Sequence, residues 1–238
     1  MKAMFKPKGL LTIFISIILI FSIYYLFNPK DKIYVALGDF YPKGHTEDNL
    51  YEYGYKDYVK DYLKQDNKLR YYEDAYVKEE YTIKRLYNDI KNNDFIIHNS
   101  NVISIKKELR EADYITITIG LNDIFNDLKI INIEELETVD DNDFNNSVSK
   151  SIKDYDVLLT EIKKYAKGKI IIVPYNIYNN EYYPNTYNKV LIWNNKVKKL
   201  SKKHKVDYIE IFNTYSDNNI YPTYKTYKRQ AYKIYKTL

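Results

Sequence analysis

A chain of 238 residues is long enough for one domain, or for one domain plus an anchor. Its formal charge is +5, and three of those charges are Lys2, Lys6 and Lys8, which leaves +2 for everything after them, too little to argue for nucleic acid. With no cysteine there is neither a disulfide framework nor a lipoprotein anchor, and a domain of this size can rest on its core alone.

Residues 10–27 carry no charged side chain. A helix needs about 17 or more such residues to cross a bilayer. The lysines precede the run and no acid does, so the short N-terminus is expected inside the cell and the remainder outside. A cleaved signal peptide would show a shorter apolar core and a small-residue cleavage site. The run is instead followed by Asn28-Pro29-Lys30-Asp31-Lys32. The expected organisation is a cytoplasmic N-terminus (1–9), a single-pass signal anchor (10–27), a linker (28–31) and an extracytoplasmic domain (32–238).

Residues 33–37 form an apolar run ending at Gly38-Asp39, which predicts a strand followed by a loop. Tyr55, Tyr58, Val59 and Tyr62 recur at helical spacing over 53–64. Residues 68–77 read as a second strand. Thr82 caps a predicted helix over 82–92 whose apolar face is Ile83, Leu86, Tyr87 and Ile90. The stretch 92–99, with His98, reads as a surface connection, and 104–111 as a short helix. Residues 114–119 are β-branched and read as a central strand. A long helix spans 142–166, with Gly168 placed to end it. Strand 169–173 stops at Pro174. A helix over 187–204 turns Val190, Leu191, Asn194, Val197 and Leu200 inward. A fifth strand covers 207–212 and a final helix 223–238.

Strands that alternate with helices need crossover connections, hence a parallel sheet covered on both faces. The expected fold is α/β, a flavodoxin-like three-layer α/β/α sandwich of five parallel strands in the order 2-1-3-4-5. In that architecture ligands bind beyond the carboxyl ends of the strands flanking the switch point. Gly38-Asp39-Phe40 follows the first strand and Gly120-Leu121-Asn122-Asp123 the third.

Those two segments, with Gly44 and with Asn218-Asn219-Ile220-Tyr221-Pro222, carry a resemblance. Their order and spacing resemble the SGNH (GDSL) hydrolase family of esterases and acylhydrolases, which writes them Gly-Asp-Ser-x-x-x-Gly, Gly-x-Asn-Asp and Asp-x-x-His-Pro. The resemblance spans about 33–235. It implies a serine nucleophile, an Asp-x-x-His base, and an oxyanion site made of the serine N–H, a glycine N–H after the second strand and the asparagine amide. Here Phe40 stands at the serine, Asn218 at the aspartate and Tyr221 at the histidine. The second-block glycine falls at Lys78. What persists is Asp39, Gly38, Gly44, Gly120, Asn122, Asp123 and Pro222.

Phenylalanine has no lone pair for attack, and an unperturbed tyrosine titrates near pH 10, too high for a neutral-pH base. Triad members act as a unit, so losing all three argues against hydrolysis. Asn122 keeps an amide able to donate to an oxyanion. Alternatively, Asn122 or Asp123 caps a short helix over 124–128. Asp39 can hold the loop amides of its turn without any catalysis. His45 is the nearest histidine to position 40 and the only candidate for a rebuilt base. His204 lies at a helix end, where positive charge is favoured.

Glu134, Glu135, Glu137, Asp140, Asp141 and Asp143 form an acidic cluster whose spacing matches no calcium loop, so a solvated loop and helix start is expected. The last helix alternates apolar residues with Lys225, Lys228, Arg229, Lys233 and Lys236, as a helix packed on a sheet does. The 29 tyrosines read as a compositional habit rather than a binding surface. No cofactor or metal is expected. The functional expectation is a membrane-tethered domain, hydrolase-like and without hydrolysis, that binds a carbohydrate or acyl ligand of the cell envelope. An ester hydrolase with a non-standard nucleophile and a structural or partner-binding ectodomain are the alternatives.

Overall fold

The structure, a computed structural model, describes residues 13–20, 32–46, 53–98, 101–179, 181–211 and 220–238. It divides into two units, Met1–Asp31 and Lys32–Leu238. In the first, residues 13–20 are helical and the rest of the expected 10–27 span lies outside the described residues. Among the described residues no helix is long and apolar enough to cross a membrane.

The second unit begins with β1 (Lys32–Gly38), buried from Ile33 onward, as a strand covered on both faces must be. α1 (Tyr55–Gln65) and β2 (Leu69–Val77) follow. α2 (Ile83–Asn92) starts at Thr82, whose hydroxyl accepts from the Arg85 N–H. Next come β3 (Phe95–His98), β4 (Asn101–Ser104), α3 (Ile105–Glu111), β5 (Tyr114–Thr118) and α4 (Leu121–Leu128). α5 (Asp141–Tyr165) is capped by the Asp140 carboxylate. β6 (Lys169–Ile172), α6 (Pro184–His204), β7 (Asp207–Tyr208) and α7 (Tyr224–Tyr235) complete the order.

The sheet runs β2-β1-β5-β6-β7, parallel throughout. This is the expected 2-1-3-4-5 once the small β3–β4 hairpin is set aside. The strand order reverses beside β1, so the crevice lies where β1 and β5 end. α7 packs on α1 with Tyr227, Ala231 and Ile234 turned inward.

Four expectations need correction. The stretch 92–99 is not a plain connection: β3 and β4 pair antiparallel. Ile103 is buried, whereas Phe95, Ile97 and Val102 are 68%, 80% and 68% exposed. Strands of four residues are too short for periodicity to separate from a loop. The Tyr76 hydroxyl, which lies within 3.0 Å of the Asp94 and Ile103 carbonyls, ties the hairpin down. Gly168 does not end α5, because Ala166 is the cap. A Cβ on Gly168 would instead meet the Ala112 carbonyl oxygen at 2.2 Å, so glycine serves close approach to the chain entering β5. The fifth strand pairs only over Asp207–Tyr208, and residues 212–219 lie outside the described residues. α6 starts three residues early because Pro184 occupies its first turn.

The tyrosines have more structure than a compositional habit suggests. Tyr34, Tyr41 and Tyr55 are fully buried, and their hydroxyls meet Thr116 Oγ1, Gln230 Oε1 and Thr118 Oγ1 at 2.8, 3.1 and 2.8 Å. Each ring supplies apolar bulk and each hydroxyl finds a partner, which a buried polar group requires.

Candidate functional site

The turn after β1 is built around Asp39. Its carboxylate is fully buried, accepts from the Tyr41 N–H at 3.1 Å, and accepts the Tyr175 hydroxyl. Tyr175 in turn accepts from the Leu121 N–H at 3.1 Å, so one carboxylate links the exits of β1, β5 and β6. Burial pushes the Asp39 carboxyl up to about 7, against the pull of the Tyr175 and Tyr41 hydrogen bonds. Asn194, on the inner face of α6, fixes Tyr175 further by pairing with both its backbone N–H and its carbonyl.

Phe40 is half-buried at the crevice floor. Its ring lies 6.3 Å from Phe125, 6.1 Å from Tyr175 and 5.5 Å from His45. His45 meets Tyr221 edge-on at 5.0 Å, so the imidazole stands between positions 40 and 221. Gly44, at φ +89°, closes the short turn Tyr41–Lys43 that leads to it. The Tyr221 hydroxyl donates to Glu134 Oε2 at 2.7 Å. Burial, then that carboxylate, pushes the phenol above its ordinary range, so Tyr221 is a proton donor here and no base. Asn218 lies outside the described residues.

Both hydrogens of the Asn122 amide are committed. They go to the carbonyls of Glu79 and Tyr81 at 2.7 and 2.9 Å. Two carbonyl acceptors in front of one amide fix its NH2 toward them. Asn122 does not cap α4, which has Gly120 as its N-cap and begins at Leu121, earlier than the expected 124–128. Asp123 serves a different helix: its carboxylate accepts the Ile83 N–H at the start of α2. Burial raises this carboxyl as well, to about 7. Removing the anchor, as Asn122→Ala, should cost about 1–2 kcal/mol, since two carbonyls lose their donor. An unchanged urea midpoint would show that the turn stands without it.

Lys78 extends the pairing of β1 and β2 through its N–H to the Gly38 carbonyl at 3.0 Å. Its side chain lies over the Tyr81 ring at 4.6 Å and 4.0 Å from the Asp89 carboxylate, outside the cleft. Glu79 and Glu80 reach the cleft instead.

The cleft so formed has a volume of about 590 Å³. Phe40, Phe125 and Tyr221 give it aromatic walls, Glu79, Glu80 and Asn132 lie on its rim, and Ile133 lines it beside the 88%-exposed Ile131. No serine, threonine, cysteine or lysine is among its described lining residues. Phe125 could have been found from the sequence, because it lies one turn beyond Asn122 on the same helix face. Glu134 and Tyr175 could not, since their partners are 87 and 136 residues away. The rest of the acidic cluster disperses: Glu137 accepts from Thr186 N–H at 2.9 Å, and Asp141 lies 3.4 Å from the buried Lys189 ammonium. His204 is paired with Asp156 at 2.6 Å, away from the cleft.

Solved structures share this architecture. A lipase from a goat rumen metagenome superposes with a TM-score of 0.61 at 20% identity, covering 85% of this chain and 95% of that one. The chain has an SGNH hydrolase-like fold. An acetylxylan esterase from Geobacillus stearothermophilus, in a catalytic variant, gives 0.59 at 16% identity, covering 88% and 94%. Phospholipase A1 from Streptomyces albidoflavus gives 0.57 at 12% identity, covering 87% and 98%. No family model matches the sequence, and no curated protein does. Phe40, Asn122 and Tyr221 line one crevice at the carboxyl end of the sheet.

Proposed function

We propose that the chain is a membrane-tethered, extracytoplasmic SGNH-like domain that binds an envelope carbohydrate or acyl ligand in the cleft without hydrolysing it. One observation carries this reading. Phe40 occupies the crevice floor, and among the described lining residues none offers a hydroxyl, thiol or amine nucleophile apart from Tyr221, whose hydroxyl donates to Glu134. Acyl transfer needs an activated nucleophile next to a base. The volume suits a small ligand, and mixed aromatic and polar walls are what such sites use. The tether rests on the uncharged run 10–27 and the lysines before it.

One observation favours a second reading, residual ester hydrolysis: His45 lies against both Phe40 and Tyr221, where it could activate a water. A single preparation tests all of this. The full chain should stay with alkali-washed membranes and hydrolyse a small activated ester no faster than buffer. Turnover abolished by His45→Ala would replace the first reading with the second. Release into the wash would remove the tether.

A further inference from the structure

We infer that the cleft takes a ligand bearing a protonated amine on an apolar ring, the chemistry of a sugar with a free amino group. The inference rests on the binding reading above and narrows its ligand.

The first argument is charge. The acidic residues among the described lining of the cleft are Glu79 and Glu80, both exposed at its rim, and Glu134 adds a third carboxylate behind Tyr221. None of the described lining residues is lysine or arginine, in a chain where those two number 37 against 32 acids. Lys78, adjacent to Glu79 in sequence, has its ammonium on the Tyr81 ring instead. A concave site lined by one sign of charge concentrates the field inside it. Carboxylates, phosphates and uronates meet repulsion there, and an ammonium is drawn in.

The second argument is the aromatic wall. Phe40 and Phe125 are nearly parallel, 18° apart, and Tyr221 lies beyond His45. Ring faces attract a cation through their quadrupole and also cover the C–H face of a sugar. A simple acyl chain would use the rings and leave the carboxylates and the Asn126 and Asn132 amides facing apolar surface, which costs free energy.

The third argument is rigidity. The Asn122 amide holds the carbonyls of Glu79 and Tyr81, on either side of Glu80. The acids are thus presented from a fixed turn, which lowers the ordering cost of binding.

The test is calorimetric titration of the full chain in neutral detergent with short oligosaccharides of glucosamine, their N-acetylated counterparts, and a fatty acid. The free-amine oligosaccharide should bind, weaken as salt rises, and lose about tenfold in affinity on N-acetylation and again in the Glu79→Gln, Glu80→Gln double variant. Both glutamates are exposed, and an unchanged unfolding midpoint confirms that the variant is folded. Equal or tighter binding of the acetylated sugar, binding of the fatty acid alone, or affinity indifferent to both glutamines would overturn the inference while leaving a binding cleft in place. No heat from any of the three probes would overturn the inference and the binding reading together.

Discussion

Gly120→Ala should cost the fold about 3–5 kcal/mol, from overpacking and backbone strain together. Gly120 sits between β5 and α4 at φ +126°, where a side chain is strained whatever the space. Space is also lacking: a Cβ there would lie 2.2 Å from Cζ2 of Trp193. The indole cannot retreat easily. It is 1% exposed and stacked on Tyr155 with an 8° tilt at 6.2 Å. The damage should spread to the site, because the next residue, Leu121, donates its N–H to the Tyr175 hydroxyl that binds the Asp39 carboxylate. Denaturant unfolding of the parent and the variant would measure it. A midpoint within error of the parent would mean that the indole is freer than its packing indicates.

Asp39→Asn should change how stability depends on pH. Burial raises the Asp39 carboxyl from an ordinary 3.8 to about 7, so the folded chain holds that proton more tightly than the unfolded chain. Folding then takes up a proton between those two values. The contribution of this group is most favourable below about pH 4, declines as pH rises toward about 7, and is flat above that. A displacement of this size corresponds to on the order of 4 kcal/mol. Asparagine has nearly the same shape and does not titrate. Relative to that variant, the parent should therefore lose stability as pH rises through the window. Glu108, raised in the same sense, is present in both proteins and cancels in the comparison, while Asp123 adds a smaller contribution because its charge also raises Asp39. Parallel stability curves for the two proteins would show that Asp39 titrates alike in the folded and unfolded chains, with its hydrogen bonds balancing burial.

The strands were legible where burial on both faces leaves an unbroken apolar run, as in β1 and β6, or a β-branched run, as in β5. Their order followed from the alternation with helices, and the crevice from that order. The glycines of the two motifs mark positive backbone angles, which only glycine adopts at little cost. The β3–β4 hairpin was hidden because four-residue strands carry too little periodicity. The use made of Asn122 was hidden for another reason. An amide can face an oxyanion, a helix end or a loop, and only the position of the Glu79 and Tyr81 carbonyls decides among them. The same holds for Tyr221 and Glu134. Each type could be weighed in the sequence, but their meeting depends on the path of the whole chain.

Phe40 also governs how this surface can change over evolutionary time. Its ring touches Phe125, Tyr175 and His45, three residues drawn from α4, the exit of β6 and the turn after β1. A serine at position 40 would empty that junction at once, before any change at position 221 could give the new hydroxyl a histidine there. A first step at position 40 therefore passes through a less well packed chain, and selection for folding alone acts as a ratchet that keeps the aromatic residue in place.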